Sequence, residues 1–290
     1  MRMDASSVRL PGTRNLQLHA LLWSDDAGST PLVFVHGFGH DSHVWDASAP
    51  LVAPHYRTLA IDLPGHGDSD RDPQQLYDPL SLSESLECAL DALNAERVVL
   101  VGHSLGGRVS MHFAIRRPER MAGLVLVDSA PQHDPRGSAR IRGETESAEL
   151  VFRSVREYET QLAEHYPATK PAVLAGLARH WLRERDDGMF EPKIDPIFRR
   201  AERGGRTQQE LDAESDAQRE MLWDRLPKVE CPTLLIRGSA SDILSADVSD
   251  RLVEDVLPNG HFVEIPRASH SVMLDNPEAF NQALTDFVLG

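Results

Sequence analysis

The sequence predicts an α/β fold: a doubly wound, mostly parallel sheet with an inserted helical segment. Two observations favour this fold class. Short apolar runs, typical of strands buried on both faces, alternate with helical patterns along the chain. This alternation stops between residues 130 and 227, where no convincing strand is found, and then resumes. Strand–helix alternation implies right-handed crossovers, and the interruption implies an insertion into them.

Composition and charge exclude several classes of protein. The chain has 290 residues, with 30 basic and 45 acidic side chains and a formal net charge of −15. This balance argues against nucleic acid and against an anionic membrane surface, because both partners select clustered lysine and arginine. The two cysteines, Cys88 and Cys231, do not provide a disulfide scaffold.

The hydropathy of the chain predicts its location. No apolar run approaches the ~20 residues of a membrane-spanning helix. The first residues lack the apolar segment of a secretory signal. We therefore expect a cytoplasmic protein without a membrane or nucleic-acid partner. The sequence does not predict an oligomeric state.

Apolar runs and a turn signal predict the strands. Residues 7–23 are typical of two short strands around the turn at Pro11-Gly12. A further strand at 261–265 precedes His270. The apolar runs that indicate buried strands are 32–35, 58–61, 98–101, 124–127 and 233–236.

Two helices are predicted between the buried strands. One begins at Ser81, which forms a capping box with Glu84, and continues at helical spacing to Leu93. The other runs over about 105–117 and is ended by Pro118. Both are expected to cover faces of the sheet.

Residues 131–227 are predicted to form a helical cap, or lid, inserted into a core of residues 1–130 and 228–290. Apolar residues at helical spacing predict one helix through Val151, Val155, Tyr158 and Leu162, a second over 173–182 and a third over 207–223, with a loop at 186–206. The insertion directly follows a central strand, which favours a lid over plain packing. Two roles are open for the large side chains of this segment: they line a pocket there, or they pack against one another. These side chains are Val151, Val155, Tyr158 and Trp181.

A five-residue motif, Gly102-His103-Ser104-Leu105-Gly106, lies between a predicted strand and a predicted helix. In that context the pattern G-x-S-x-G is typical of a sharp turn that presents a serine nucleophile. Side chains two residues before and after the serine would clash, so glycine occupies both places. The helix N-terminus and the Leu105 N–H then face any negative charge that develops at Ser104.

The first buried strand ends in His36-Gly37-Phe38-Gly39, where the backbone N–H of Phe38 is a candidate second donor to an oxyanion. His36, His40 and His43 have the spacing of metal ligands on one helix face. Two glycines interrupt that helix, and no carboxylate or thiolate accompanies the histidines. We therefore expect no metal at these residues.

A base and an acid complete the candidate site. His270 follows the last predicted strand, and the carboxyl ends of parallel strands meet at one edge of the sheet. Asp242 is favoured as the acid because it follows the strand 233–236 and fits the order serine, aspartate, histidine. Asp128, which closes the strand 124–127, is the alternative. Asp128 could instead brace a turn, and Asp242 could instead cap a helix near Ser245.

These motifs resemble the α/β-hydrolase family, in its lidded serine esterase-like branch. The resemblance covers residues 30–130 and 227–290 and includes the loop Asp62-Leu63-Pro64-Gly65-His66-Gly67-Asp68-Ser69. It implies hydrolysis of a carboxylic ester or lactone of a small molecule through an acyl-enzyme, without a cofactor or metal. The residues it implies are Ser104 as nucleophile, His270 as base, Asp242 as orienting acid, and Phe38 and Leu105 as backbone donors of the oxyanion hole.

Some activities of that family fit the sequence less well. Its haloalkane dehalogenases and epoxide hydrolases carry aspartate at the position of Ser104. Its carbon–carbon bond hydrolases tend to have tryptophan after the histidine, where this chain has Ser271. Carbon–carbon hydrolysis, perhydrolysis and amide cleavage remain alternatives on the same triad. A ligand receptor with slow turnover is the alternative from another class, because fold does not decide function.

Overall fold

The computed structural model of the chain describes residues 4–25, 30–200 and 204–290. Over these residues the strands form an eight-stranded sheet and a separate two-stranded ribbon. The strands are β1 (Ser6–Pro11), β2 (Gln17–Ser24), β3 (Leu32–Val35), β4 (Thr58–Ile61), β5 (Val98–His103), β6 (Met121–Val127), β7 (Leu182–Glu184), β8 (Phe190–Pro192), β9 (Thr233–Gly238) and β10 (Gly260–Ile265).

The large sheet has the order β1-β2-β4-β3-β5-β6-β9-β10. The β1–β2 and β2–β4 pairs are antiparallel, and every other pair in this sheet is parallel. The predicted α/β fold with a mostly parallel sheet is therefore confirmed. Strand β5, every residue of which is buried, lies between β3 and β6 and ends at the serine motif.

Helices cover both faces of the sheet. Alternate residues of β3 enter different apolar cores, Val33 and Val35 on one face and Leu32 and Phe34 on the other, because side chains alternate along a strand. The helices are α1 (Ala49–Val52), α2 (Pro79–Ala92), α3 (Leu105–Arg116), α4 (Pro135–Ser147), α5 (Val155–His165), α6 (Pro171–Trp181), α7 (Gln208–Arg225), α8 (Ala246–Asp250), α9 (Val272–Asp275) and α10 (Pro277–Leu289). None of the helices in the described part of the chain combines the length and the apolar character of a membrane span.

Helix α2 begins earlier than the sequence predicts. Its N-cap is Asp78, whose carboxylate accepts hydrogen bonds from the backbone N–H groups of Leu80 and Ser81. Proline at the first helical position, Pro79, is preorganised for this start. The predicted capping box of Ser81 and Glu84 is therefore wrong, because Asp78 provides a cap three residues upstream.

The segment 131–227, here called the insertion, follows β6 and precedes β9. It contains α4 to α7 and the β7–β8 ribbon. Two of these elements differ from the prediction. The sequence predicted no element of the insertion before Val151, where α4 lies, and it predicted a loop over 186–206, where β8 lies. Helix α4 has Ile141 as its only large apolar side chain, so its sequence carries no apolar stripe. Residues 201–203 of the predicted loop lie outside the described residues.

Candidate active site

Ser104 lies on the sharp turn between β5 and α3. Its backbone has φ 50° and ψ −113°, a conformation that non-glycine residues rarely adopt and that stores strain. A Cβ at Gly102 would come within 2.4 Å of the Gly106 carbonyl oxygen. A Cβ at Gly106 would come within 2.2 Å of the Val35 carbonyl oxygen. Glycine at 102 is therefore required for the turn to close on itself, and glycine at 106 for its close approach to β3.

Ser104 Oγ is hydrogen-bonded to a histidine, which is in turn hydrogen-bonded to a carboxylate. His270 Nε2 lies 2.9 Å from Ser104 Oγ, and His270 Nδ1 lies 2.8 Å from Asp128 Oδ2. Asp128 is fully buried, and Ser104 is 7% exposed. A hydroxyl, an imidazole and a carboxylate in this order form the arrangement that activates a serine nucleophile.

The Asp128 carboxylate has further partners. Its Oδ1 accepts a hydrogen bond from the Gly238 N–H at 3.0 Å, and its Oδ2 accepts one from the Ser241 hydroxyl at 2.5 Å. The backbone N–H of Asp128 donates to the Ile236 carbonyl at 2.7 Å. The end of β9 thus fixes the carboxylate that faces His270.

The structure corrects the prediction of Asp242 as the orienting acid. The Asp242 carboxylate accepts two hydrogen bonds from Arg140, at 2.6 Å from Nε and 2.9 Å from Nη2. These bonds lower the pKa of Asp242 below its ordinary value. The loop after β9 turns so that Ser241 reaches Asp128, while Asp242 points towards helix α4. The chain order does not separate the two aspartates, because both lie between Ser104 and His270.

The two predicted oxyanion donors lie on either side of the serine turn. Leu105 is the first residue of α3. A Cβ placed on Gly37, which precedes Phe38, would lie 3.3 Å from the Ser104 Cβ, so this loop passes directly beside the serine. Within the described ranges, neither the Phe38 nor the Leu105 N–H donates a hydrogen bond to the backbone or a side chain.

His36, His40 and His43 have separate partners. His36 Nδ1 donates to the Gly37 carbonyl, and His36 Nε2 accepts from the Leu63 N–H. His40 Nε2 lies 2.9 Å from the Tyr166 hydroxyl, and His43 Nδ1 lies 3.0 Å from the Asp46 carboxylate. Among the described residues, these three histidines do not come together as one set of metal ligands.

Two buried histidines lie beside the triad, and sequence reasoning gave neither of them a role in catalysis. His103 Nε2 donates to the His270 carbonyl at 2.9 Å, and the His103 ring stacks on His40. His40 stacks in turn on Trp181 of α6. Burial lowers the pKa of both His103 and His40 well below the ordinary value, because it disfavours the charged form of each ring. The position of His103 inside the serine motif was the one signal for its role.

A pocket of about 1210 Å³, measured with its open mouth, lies above Ser104. The core and the insertion both contribute to its walls. Tyr158 and Trp181, two of the predicted candidates, line it, whereas Val151 and Val155 do not. The apolar and aromatic residues of the walls are Phe38, Ile141, Ala148, Leu150, Tyr158, Leu162, Tyr166, Trp181, Pro192, Ile194, Pro196 and Phe198.

Comparison with known proteins identifies the family to which this fold and site belong. The model of the alpha/beta hydrolase family matches residues 32–283. The chain therefore belongs to the alpha/beta hydrolase family, and it is an esterase-like hydrolase.

Individual relatives agree with this assignment. The chain is 28% identical over 282 residues to the pimeloyl-[acyl-carrier protein] methyl ester esterase of Pectobacterium atrosepticum, with 92% of this chain and 98% of the relative covered. It is 29% identical over 284 residues to an esterase of Mycobacterium tuberculosis, with 93% of this chain and 87% of the relative covered. A crystal structure of an alpha/beta hydrolase from Novosphingobium aromaticivorans superposes with a TM-score of 0.81 at 27% identity, covering 98% of each chain.

Proposed function

We propose that the protein is a serine hydrolase that cleaves a carboxylic ester or lactone of a small molecule through an acyl-enzyme on Ser104. The observation that carries this proposal is the continuous hydrogen-bond path from Ser104 Oγ through His270 to Asp128 at the floor of a largely apolar pocket. The relatives named as esterases support ester hydrolysis as the reaction.

In the first half-reaction, His270 Nε2 takes the proton of the Ser104 hydroxyl as Oγ attacks the acyl carbon. The His270 Nδ1–H donates to Asp128, which holds the ring in this tautomer and stabilises the imidazolium that forms. The oxyanion accepts hydrogen bonds from the N–H groups of Phe38 and Leu105, and each such donor is worth about 10²–10³ in rate.

The first half-reaction ends when the ester bond breaks, His270 gives its proton to the departing alkoxide and the acyl group stays on Ser104. In the second half-reaction, a water molecule gives a proton to the same imidazole and attacks the acyl-enzyme. The carboxylic acid leaves, and Ser104 regains its proton from His270. The scheme needs no cofactor, because the imidazole carries every proton that moves.

The insertion acts in this proposal as a cap over the core, which comprises residues 1–130 and 228–290. Helices α5 and α6 place Tyr158, Leu162 and Trp181 along the pocket. Apolar and aromatic walls favour an apolar acyl or alkoxy group, since burying apolar surface is the main favourable contribution to binding there. The cap therefore sets selectivity for chain length.

The decisive experiment is Ser104→Ala against a panel of chromogenic esters of graded chain length that includes lactones. Turnover should fall by at least about 10³-fold, because the nucleophile is lost. A fluorophosphonate should label the wild-type chain and not the variant. Ser6→Ala, on the edge strand β1, is the matched control and should retain both properties. Near-normal hydrolysis by folded Ser104→Ala would overturn the proposal.

A further inference from the structure

Three metal-ligating side chains lie together at the boundary between the core and the insertion. His43 belongs to a short 3₁₀ turn, Ser42–Trp45, and Asp46 directly follows it. His180 is near the end of α6. One ligand atom from each of the three residues lies within 4.8 Å of the others. The core therefore contributes two of these groups and the insertion contributes the third.

The histidine rings are in direct contact. The rings of His43 and His180 stack, with centroids 3.5 Å apart and planes 16° apart. His43 Nδ1 lies 3.0 Å from Asp46 Oδ2. No hydrogen bond from the described residues engages the ring of His180. The side chain of Asp46 is 45% exposed, so an ion from solvent can reach the cluster.

A single buried carboxylate, that of Asp41, accepts hydrogen bonds from both sides of this cluster. Asp41 Oδ1 accepts a hydrogen bond from the His43 N–H at 3.0 Å. The same oxygen accepts one from Trp181 Nε1, also at 3.0 Å, and Trp181 is the neighbour of His180. These bonds keep the turn that carries His43 next to the end of α6, so the two histidines are neighbours before any ligand arrives.

The chemistry of this donor set selects one class of ligand. Two imidazoles and one carboxylate form a ligand set typical of Zn²⁺, which takes nitrogen and oxygen donors in tetrahedral geometry. Mg²⁺ and Ca²⁺ prefer oxygen donors alone. The proton that His43 shares with Asp46 would leave on metal binding, because each ligand must present a lone pair.

We propose that His43, Asp46 and His180 form a binding site for Zn²⁺ or a similar divalent transition metal, which joins helix α6 to the core. The fourth ligand is water. The site lies outside the triad and does not depend on the proposed esterase function. It shares only His43 with the set His36, His40 and His43 considered from sequence. Because Trp181 lines the pocket, the bound metal fixes one wall of the substrate site.

The test is calorimetric titration of the metal-free full chain with ZnCl₂. The wild-type chain should bind one Zn²⁺, and His180→Ala should weaken binding by at least about tenfold, as loss of a metal-site partner does. His43→Ala should weaken it similarly. His55→Ala is the matched control, because His55 is exposed and contributes no ligand to this site. The absence of saturable binding, or binding unchanged in His180→Ala, would overturn the proposal.

Thermal unfolding gives a second readout. His180→Ala removes no hydrogen bond of the described chain, so this variant is expected to fold. ZnCl₂ should raise the Tm of the wild-type chain and of His55→Ala, whereas MgCl₂ should not, because a ligand that binds the folded state stabilises it. An equal rise in Tm for His180→Ala would place the bound ion elsewhere and contradict the site.

Discussion

Asp128 accepts hydrogen bonds from Gly238, Ser241 and His270 at once, whereas the carboxylate of Asp242 is held by Arg140. Asp128→Asn should therefore lower kcat by about 10³–10⁴-fold with little change in KM, because the imidazole loses its tautomer and its counter-charge. Asp242→Asn is the matched variant. It should lower kcat by less than about tenfold, since it only weakens a contact with α4. Steady-state kinetics on one good ester compares them. If folded Asp242→Asn lost more kcat than folded Asp128→Asn, Asp242 would be the orienting acid.

Ser241 is expected to be a positioning residue for that carboxylate. Ser241→Ala removes the 2.5 Å donor to Asp128 Oδ2 and leaves this oxygen with His270 alone. A hydrogen bond to a charged group contributes about 1.5–3 kcal/mol. We therefore expect kcat to fall by about tenfold or more with KM unchanged. Rescue of kcat by Ser241→Thr would separate the lost donor from a packing defect, and unchanged kcat in Ser241→Ala would contradict the role.

Among the individual residues, the sequence predicted two of the three in the hydrogen-bonded path, Ser104 and His270. Each has a local signal: a glycine-flanked turn for the serine, and a loop after the last strand for the histidine. The acid has no such signal, because Asp128 and Asp242 both follow parallel strands and both precede His270. Only the direction of the loop after β9 separates them, and that direction depends on tertiary contacts with α4.

Among the elements, the strands were the easiest to predict. Strands β3, β4, β5 and β6 are apolar and almost wholly buried, so their runs contrast sharply with the flanking segments. Helix α4 is mostly polar, and the β7–β8 ribbon has three residues in each strand. Neither element carries a periodic pattern long enough to detect, so their structure depends on packing against the rest of the chain.

Helix α6 is expected to influence the selectivity for chain length through Trp181. Trp181 is 4% exposed, lines the pocket and stacks on His40. Trp181→Ala should enlarge the pocket and shift the ratio of kcat/KM towards longer acyl chains by about tenfold, since each methylene in an apolar pocket is worth about 1–3 kcal/mol. Val151→Ala, outside the pocket, should leave the ratio unchanged. The same ester panel measures both, and an unchanged ratio for Trp181→Ala would remove this residue from the selectivity wall.

Over the whole molecule, several histidines are buried in the uncharged form, and His66 is the clearest of them. It is fully buried, its Nδ1 lies 3.1 Å from the Pro64 carbonyl oxygen, and its Nε2 is buried without a partner among the described residues. Burial, and then the charge of His36, lowers the pKa of His66 from 6.5 to about 3. Above pH 6.5 the folded and unfolded chains both hold this ring neutral, so it contributes no pH dependence there.

Below pH 6.5 the unfolded chain takes up a proton that folded His66 does not, so the free energy of unfolding falls as the pH falls towards 3. Between pH 8 and pH 5 this one residue should account for about 2 kcal/mol of lost stability, since each unit of pKa shift is worth about 1.4 kcal/mol. His66→Asn should reduce the loss by about that amount, and the exposed His55→Asn should leave it unchanged. Urea unfolding of the three chains at both pH values measures the difference. An equal loss in wild-type and His66→Asn chains would show that the acid sensitivity arises at other buried groups.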